Sequence, residues 1–171
     1  IAEALGDDDL IKRTQALVAR EESRLEEKLA PYKTFFNGKK AVLNTGGNKT
    51  WSIAAALQDL GFEVVATAVK KATEDDRGKA RQTLGEKGVL MMNPGVEQAK
   101  LIDETGADLL LAGGRSLYTA IKKGIAFADV NQEKKKSYGG YGGLLNLAED
   151  LKNALQNPVF KNVARRAPWE K

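Results

Sequence analysis

The feature that most constrains this chain is an alternation that begins near residue 41. Five short apolar runs, Ala41–Asn44, Phe62–Ala68, Gly88–Met92, Asp108–Ala112 and Ile125–Val130, are separated by amphipathic or charged stretches of helical period. Those stretches are Lys49–Leu60, about Glu74–Leu84, Val96–Thr105 and Ser116–Lys123. Runs this short and this uniformly apolar read as strands covered on both faces. A strand followed repeatedly by a helix implies right-handed crossovers and a parallel sheet. The expected fold class is therefore α/β: a three-layer α/β/α, Rossmann-like domain with a parallel sheet of four or five strands, ordered 2-1-3-4 with a short fifth. A length of 171 residues suits one such domain.

Ahead of the alternation, Leu10, Ile11, Leu17, Val18, Leu25 and Leu29 recur at spacings of three, four and seven among dense charges. This predicts one long amphipathic helix from Asp7 to about Tyr32, with Asp7 to Asp9 at its start and Pro31 and Asn37-Gly38 ending it. The chain divides into 1–37, helix and connector, and 38–171, the Rossmann-like domain. A loop from Asn131 to Gly143, a last helix at Leu144–Leu155 and a proline-containing tail complete it. Opening at Ile1 with a helix already under way is what a piece of a larger protein would show.

Composition narrows the chemistry more than the fold. The chain has no cysteine and no histidine. It therefore has no thiolate nucleophile, no imidazole base and none of the usual ligands for iron, zinc or copper, so a transition-metal site cannot be built from it alone. The 27 basic and 23 acidic residues are interspersed, which describes a mixed solvated surface and predicts no nucleic-acid partner. The first ten residues lack the basic start and apolar core of a secretory signal, and no stretch reaches a membrane span, so a cytoplasmic location is expected.

In parallel sheets ligands sit beyond the carboxyl ends of the strands. Here those ends are Thr45–Lys49, Ala68–Thr73, Asn93–Gly95, Gly113–Arg115 and Asn131 onward. In the first, Gly46, Gly47, Asn48 and Lys49 join glycines that admit close backbone approach to a cation at a helix start. The turn matches neither common nucleotide signature and equally suits a plain strand-to-helix connection. Gly114 and Arg115 repeat the pattern after the fourth strand, with a guanidinium suited to carboxylate or phosphate. Two such turns on one edge favour an anionic ligand, a phosphate-bearing one included. The glycines of Asn131–Gly143, Gly139 and Gly140 among them, fit either a pocket wall or a surface loop. Trp51, Phe62, Tyr118 and Phe127 are expected in the core.

Taken together, Leu43–Ser52, Ala56–Gly61, Val64–Thr67, Lys70–Asp76, Ala112–Arg115, Tyr118–Ala120, Asp129–Glu133, Gly140-Tyr141 and Ala167–Trp169 resemble the nitrogenase component I superfamily. Within it they resemble the E-type scaffold subunits on which the iron–molybdenum cofactor is matured. The resemblance implies a domain of a cofactor-biosynthesis scaffold in nitrogen fixation, not catalytic alone. It also implies an iron–sulfur cofactor precursor, or the iron–molybdenum cofactor with homocitrate, handled only by the full-length protein. The implied partners are a beta-type (N-type) subunit in a heterotetramer, and nitrogenase proteins that donate and accept the cofactor.

The resemblance places Asn131 where catalytic alpha subunits carry the histidine that ligates the cofactor, the Gly46-Gly47 turn with Lys49 against the cofactor, and Arg115 near its homocitrate. A catalytic, oxidoreductase alpha subunit is the alternative within the family, and the missing histidine disfavours it. The family's cluster-binding cysteines have no counterpart in this chain.

Overall fold

The computed structural model describes residues 1–45, 47, 49–70, 72–131 and 136–163. It opens with a one-turn helix α1 (Ala2–Leu5) and the long helix α2 (Asp8–Phe36). The sheet then builds as β1 (Lys40–Asn44), α3 (Lys49–Asp59), β2 (Glu63–Ala68), α4 (Glu74–Leu84), β3 (Val89–Met91), α5 (Pro94–Thr105) and β4 (Leu109–Ala112). A 3-10 turn (Gly114–Ser116), α6 (Leu117–Lys123), β5 (Ala126–Asp129), α7 (Gly140–Gln156) and α8 (Pro158–Val163) follow. The tail Ala167–Trp169 lies outside the described residues.

All strand pairs are parallel, as the alternation predicts, and the order is β3-β2-β1-β4-β5. This corrects the expected 2-1-3-4: the third strand adds outside the second, and the fourth returns to the free edge of the first. Strand order is decided by which edge each crossover reaches, and local periodicity carries no record of that.

Two apolar layers sandwich the sheet. Leu29 and Phe36 of α2, Ile53, Ala54 and Leu57 of α3, and Leu147, Ala148 and Leu151 of α7 pack on one face, against Ala41, Leu43, Leu109 and Leu111. Leu101 and Ile102 of α5, Ala120 of α6 and Phe160 of α8 pack on the other, against Val42, Leu110 and Ala112. Each central strand therefore sends alternate side chains into separate cores, which is why the runs read as uniformly apolar.

The helix α2 begins as expected, with the Asp7 carboxylate accepting from the Leu10 backbone N–H at 3.0 Å. It does not stop at Tyr32. Pro31 lies inside the helix, exposed, and the helix continues to Phe36. An interior proline costs about 3 kcal/mol. Past it, Phe36 is completely buried and stacks on Phe62 at 4.6 Å, with Tyr32 and Phe35 packed alongside. Burying aromatic groups of this size returns roughly 1.5–3 kcal/mol each, so packing outweighs the break.

Upstream, Leu17 and Val18 remain exposed, and the first turns of α2 rest on capping and surface pairs such as Arg13–Asp9. The attachment of α2 is thus concentrated at its C-terminal end. Phe36→Ala is expected to cost about 3–5 kcal/mol, and Leu17→Ala less than about 0.5 kcal/mol, both read by urea denaturation. Equal costs would mean that α2 is held along its whole length.

Candidate functional site

The chain turns back on itself between β1 and β4, whose ends lie side by side with Asn44 paired to Ala112. After β1 it enters α3 on one face; after β4 it enters the 3-10 turn and α6 on the other. Two connections that leave in opposite directions open a crevice at the carboxyl edge, the general position for ligands in such sheets. A cleft of ≈ 1170 Å³ occupies it, and every one of the five strand ends contributes to its wall.

Two cations enter this cleft, Lys70 beyond β2 and Arg115 in the 3-10 turn, both exposed. Neither pairs with a carboxylate among the described residues. Most ion pairs among the described residues are surface pairs within or between helices. Unpaired cations beside a polar floor create positive potential for an anion.

The floor is hydrogen-bonded throughout. The Asn131 side chain donates to the Thr45 carbonyl at 3.0 Å, and its backbone N–H donates to an Asp129 carboxylate oxygen at 2.9 Å. Its amide also lies against Gly113, where an added Cβ would come within 3.1 Å of Nδ2. Asn131 therefore straps the end of β5 to the turn after β1, across β4. The buried Thr45 and Thr50 hydroxyls share a hydrogen bond of 2.7 Å that closes the same turn.

The acidic wall is committed elsewhere. Asp76 and Thr73 form a reciprocal capping box at the start of α4. The Trp51 indole N–H donates to the other Asp76 oxygen at 3.2 Å. The Thr73 backbone N–H first, then its hydroxyl, hold the Asp76 carboxyl below its ordinary value; Trp51 and Lys79 lower it further, against the opposing effect of burial. Trp51 is thereby half-buried on the cleft wall, and Tyr118 is 74% exposed at the rim. Of the four aromatics expected in the core, Phe62 is buried in one apolar layer and Phe127 is partly buried against the other. Tyr118 corrects the expectation: Leu117, Ala120 and Ile121 take the sheet-facing side of the short α6, leaving Tyr118 outward.

The sequence-predicted site residues divide between two cavities. Gly47, Gly114, Arg115 and Asn131 line the cleft. Lys49, Gly139 and Gly140 line a second, more apolar cavity of ≈ 620 Å³ between α3 and α7, floored by Ile53, Ala56, Val130 and Leu147. Gly46 and Asn48 lie outside the described residues. The sequence reading did not name Lys70, Asn44, Gln98 or Thr119 as site residues; Lys70 stands at a strand end, Asn44 opens the first glycine turn and Thr119 lies in a segment that carries the family resemblance, whereas nothing marked Gln98.

The outer wall of the second cavity is pinned to α7. Tyr138 donates to an Asp150 carboxylate oxygen at 2.5 Å, Lys136 pairs with Glu149 at 2.6 Å, and the Asn146 amide donates to the Ser137 carbonyl at 3.0 Å. The loop expected to run to Gly143 ends earlier, because α7 begins at Gly140. Gly143 admits the Tyr138 backbone: an added Cβ would fall 2.3 Å from the Tyr138 carbonyl carbon, while Gly142 has open space.

Two outcomes follow. Gly143→Ala is expected to destabilise the fold by about 1–3 kcal/mol, and Gly142→Ala to be neutral or stabilising by up to about 1 kcal/mol, compared by thermal unfolding. A Gly143→Ala protein as stable as the parent would place the Tyr138 segment elsewhere. For Asp76, a lowered folded pKa means its contribution is complete above the ordinary value of 3.8 and is lost only as pH falls through the lower folded one. The Trp51 indole N–H resonance should therefore titrate with a midpoint below that ordinary value; a midpoint at or above it would remove the Trp51–Asp76 link.

The family model described as nitrogenase component 1 type oxidoreductase matches residues 1–156. Among relatives, the nitrogenase iron-molybdenum cofactor biosynthesis protein NifE of Nostoc sp. (strain PCC 7120 / SAG 25.82 / UTEX 2576) is 44% identical over 171 residues, 99% of this chain and 36% of that protein. NifE of Klebsiella pneumoniae is also 44% identical, over 99% of this chain and 37% of its own length. The chain thus spans little more than a third of these relatives. A solved structure, "Nitrogenase Cp1 at pH 5", superposes with a TM-score of 0.76 at 19% identity, over 99% of this chain and 40% of that one, which shows the shared three-layer fold. By the family match and by identity across nearly its whole length, the chain belongs to the nitrogenase component 1 type oxidoreductase family.

Proposed function

We propose that this chain forms one wall of a scaffold site on which an iron–molybdenum cofactor precursor is held and matured. The observation that carries the reading is the cleft at the β1/β4 switch, with Lys70 and Arg115 unpaired among the described residues above a polar floor. Its fit to a cluster cargo is set by the donor set. With no cysteine or histidine in the chain, the wall acts by charge and hydrogen bonding, and ligation of iron falls to other parts of the protein. Arg115 offers a planar fork to the carboxylates of homocitrate, and Lys70 adds a second positive charge. Lys49 and the Gly139-Gly140 turn border the neighbouring cavity and flank the way in.

Asn131 supports scaffolding over dinitrogen reduction. Its amide donates to the Thr45 carbonyl, so the side chain shapes the floor where a catalytic subunit would present a ligand. The names of the relatives point the same way. In the full protein the proposed partners are an N-type subunit in a heterotetramer and the nitrogenase proteins that donate and accept the cofactor. No helix among the described residues is long and apolar enough to cross a membrane.

The test is anaerobic titration of the purified protein with the isolated iron–sulfur precursor and with homocitrate, with inorganic phosphate as control. Saturable homocitrate binding is expected, weakening with ionic strength. Arg115→Ala should lower affinity roughly 10- to 100-fold, the worth of one charge-assisted hydrogen-bond pair. Lys49→Ala reports separately on the second cavity. Phosphate binding with no response to precursor or homocitrate would replace the reading with a phosphate-ligand module.

A further inference from the structure

Gln98 is the one amide side chain buried among the described residues, at 4% exposed. It sits on α5, one turn before Leu101 and Ile102, on the face turned to the sheet. An apolar residue would meet the ordinary demand of that position, so a buried amide there needs partners. Gln98 has them on three separate elements. Its Oε1 accepts from the Asn44 side-chain amide at 2.9 Å, at the end of β1, and from the Ser116 hydroxyl at 3.4 Å. Its Nε2 donates to the Thr119 hydroxyl at 3.2 Å, on α6. All four residues line the cleft.

The turn these bonds hold has little side-chain anchorage of its own. The 3-10 turn Gly114–Ser116 carries no side-chain cap, and neither does α6, although its N-cap residue is a serine. Ser116 has helical backbone angles and continues the 3-10 turn into α6, so its hydroxyl does not cap the helix. It points to Gln98 and ties the turn to the cleft floor.

We propose that Gln98 is a positioning residue of the cleft: it holds the Gly113–Ser116 turn, and with it Arg115, at a fixed setting against Asn44 at the end of β1. Arg115 itself is exposed, so its placement comes from the turn beneath it. This fixes the separation between the Arg115 wall and the β1 wall, and so the size of anion that both can contact. The anion's identity rests on the scaffold reading above; the positioning does not.

The test compares the parent chain with Gln98→Met, which keeps the length of the side chain and removes its hydrogen bonds, and Gln98→Glu, whose carboxylate can accept from Asn44, Ser116 and Thr119. Hydrogen exchange is read by peptide, and homocitrate affinity by calorimetry. Gln98→Met is expected to speed exchange over residues 113–119 roughly tenfold or more while β2 and α3 stay unchanged, a local opening distinct from global destabilisation. Gln98→Glu should restore most of the protection.

Gln98→Met should also weaken homocitrate binding roughly tenfold, with no further loss when combined with Arg115→Ala, the non-additivity expected when one residue acts through another. Exchange that is unchanged at 113–119, or that rises uniformly along the chain, would overturn the proposal. So would additive losses with Arg115→Ala. Local loosening in Gln98→Met, with a parent chain that binds no homocitrate, would support the positioning and count against the scaffold reading alone.

Discussion

Parallel pairing of β1 with β4, which sets Asn44 beside Ala112, is the constraint from which the cleft follows. The other edge of β1 is occupied by β2, and β3 extends the sheet outward from there. To reach the free edge of β1 the chain must cross the whole half-sheet, and α5 makes that crossing on the face opposite α3. The connections after β1 and β4 therefore diverge, and no side chain of either core fills the gap between them. The same crossing carries α5 beneath the carboxyl edge, where Gln98 can reach β1, the 3-10 turn and α6 at once. A sheet ordered 2-1-3-4 would have brought other helices to that edge.

Much of this was legible in the sequence because it is local. Ala41–Leu43 and Leu109–Ala112 are uniformly apolar because both faces of the sheet are covered, and all five strand ends picked out from periodicity border the cleft. What failed depends on contacts distant in sequence. Pro31 looked like a helix stop because Phe62, the partner that offsets its cost through Phe36, lies far along the chain. Tyr118 looked like core because apolar spacing in a seven-residue helix cannot tell the sheet side from the rim. Gln98 gave no signal, since a glutamine in a helix is ordinarily solvated and only the fold supplies its three partners. Lys49 and Arg115 shared a motif yet face different cavities. Their helices start on opposite faces of the sheet, and a turn signature does not encode a face.

Elsewhere some of the charges are paired in place. Arg13–Asp9, Arg77–Glu74, Lys100–Glu104 and Lys136–Glu149 are surface pairs, each worth about 0–1 kcal/mol. Asp76, the carboxylate on the cleft wall, is engaged by Thr73 and Trp51. It is the one acid among the described residues lining the cleft, and it makes no ion pair with Lys70 or Arg115, which remain open to a bound anion. The capping box thus has two consequences: it starts α4, and it keeps the Asp76 carboxylate ionised and fixed in place on the cleft wall.

The absence of ligating side chains bears on how such a wall would behave. Structural zinc bound through thiolate and imidazole is held by about 10–16 kcal/mol, whereas a hydrogen bond to a charged group contributes about 1.5–3 kcal/mol. A surface whose charged donors are Arg115 and Lys70 lies in the second range. Under the scaffold reading, contacts of this size orient a cargo without trapping it, and they weaken together when the two walls separate. A site that must both receive and surrender its cargo gains from that weakness. The strap from Asn131 to Thr45 is of the same kind: a neutral hydrogen bond that shapes the floor and leaves the charge of the wall to Arg115 and Lys70.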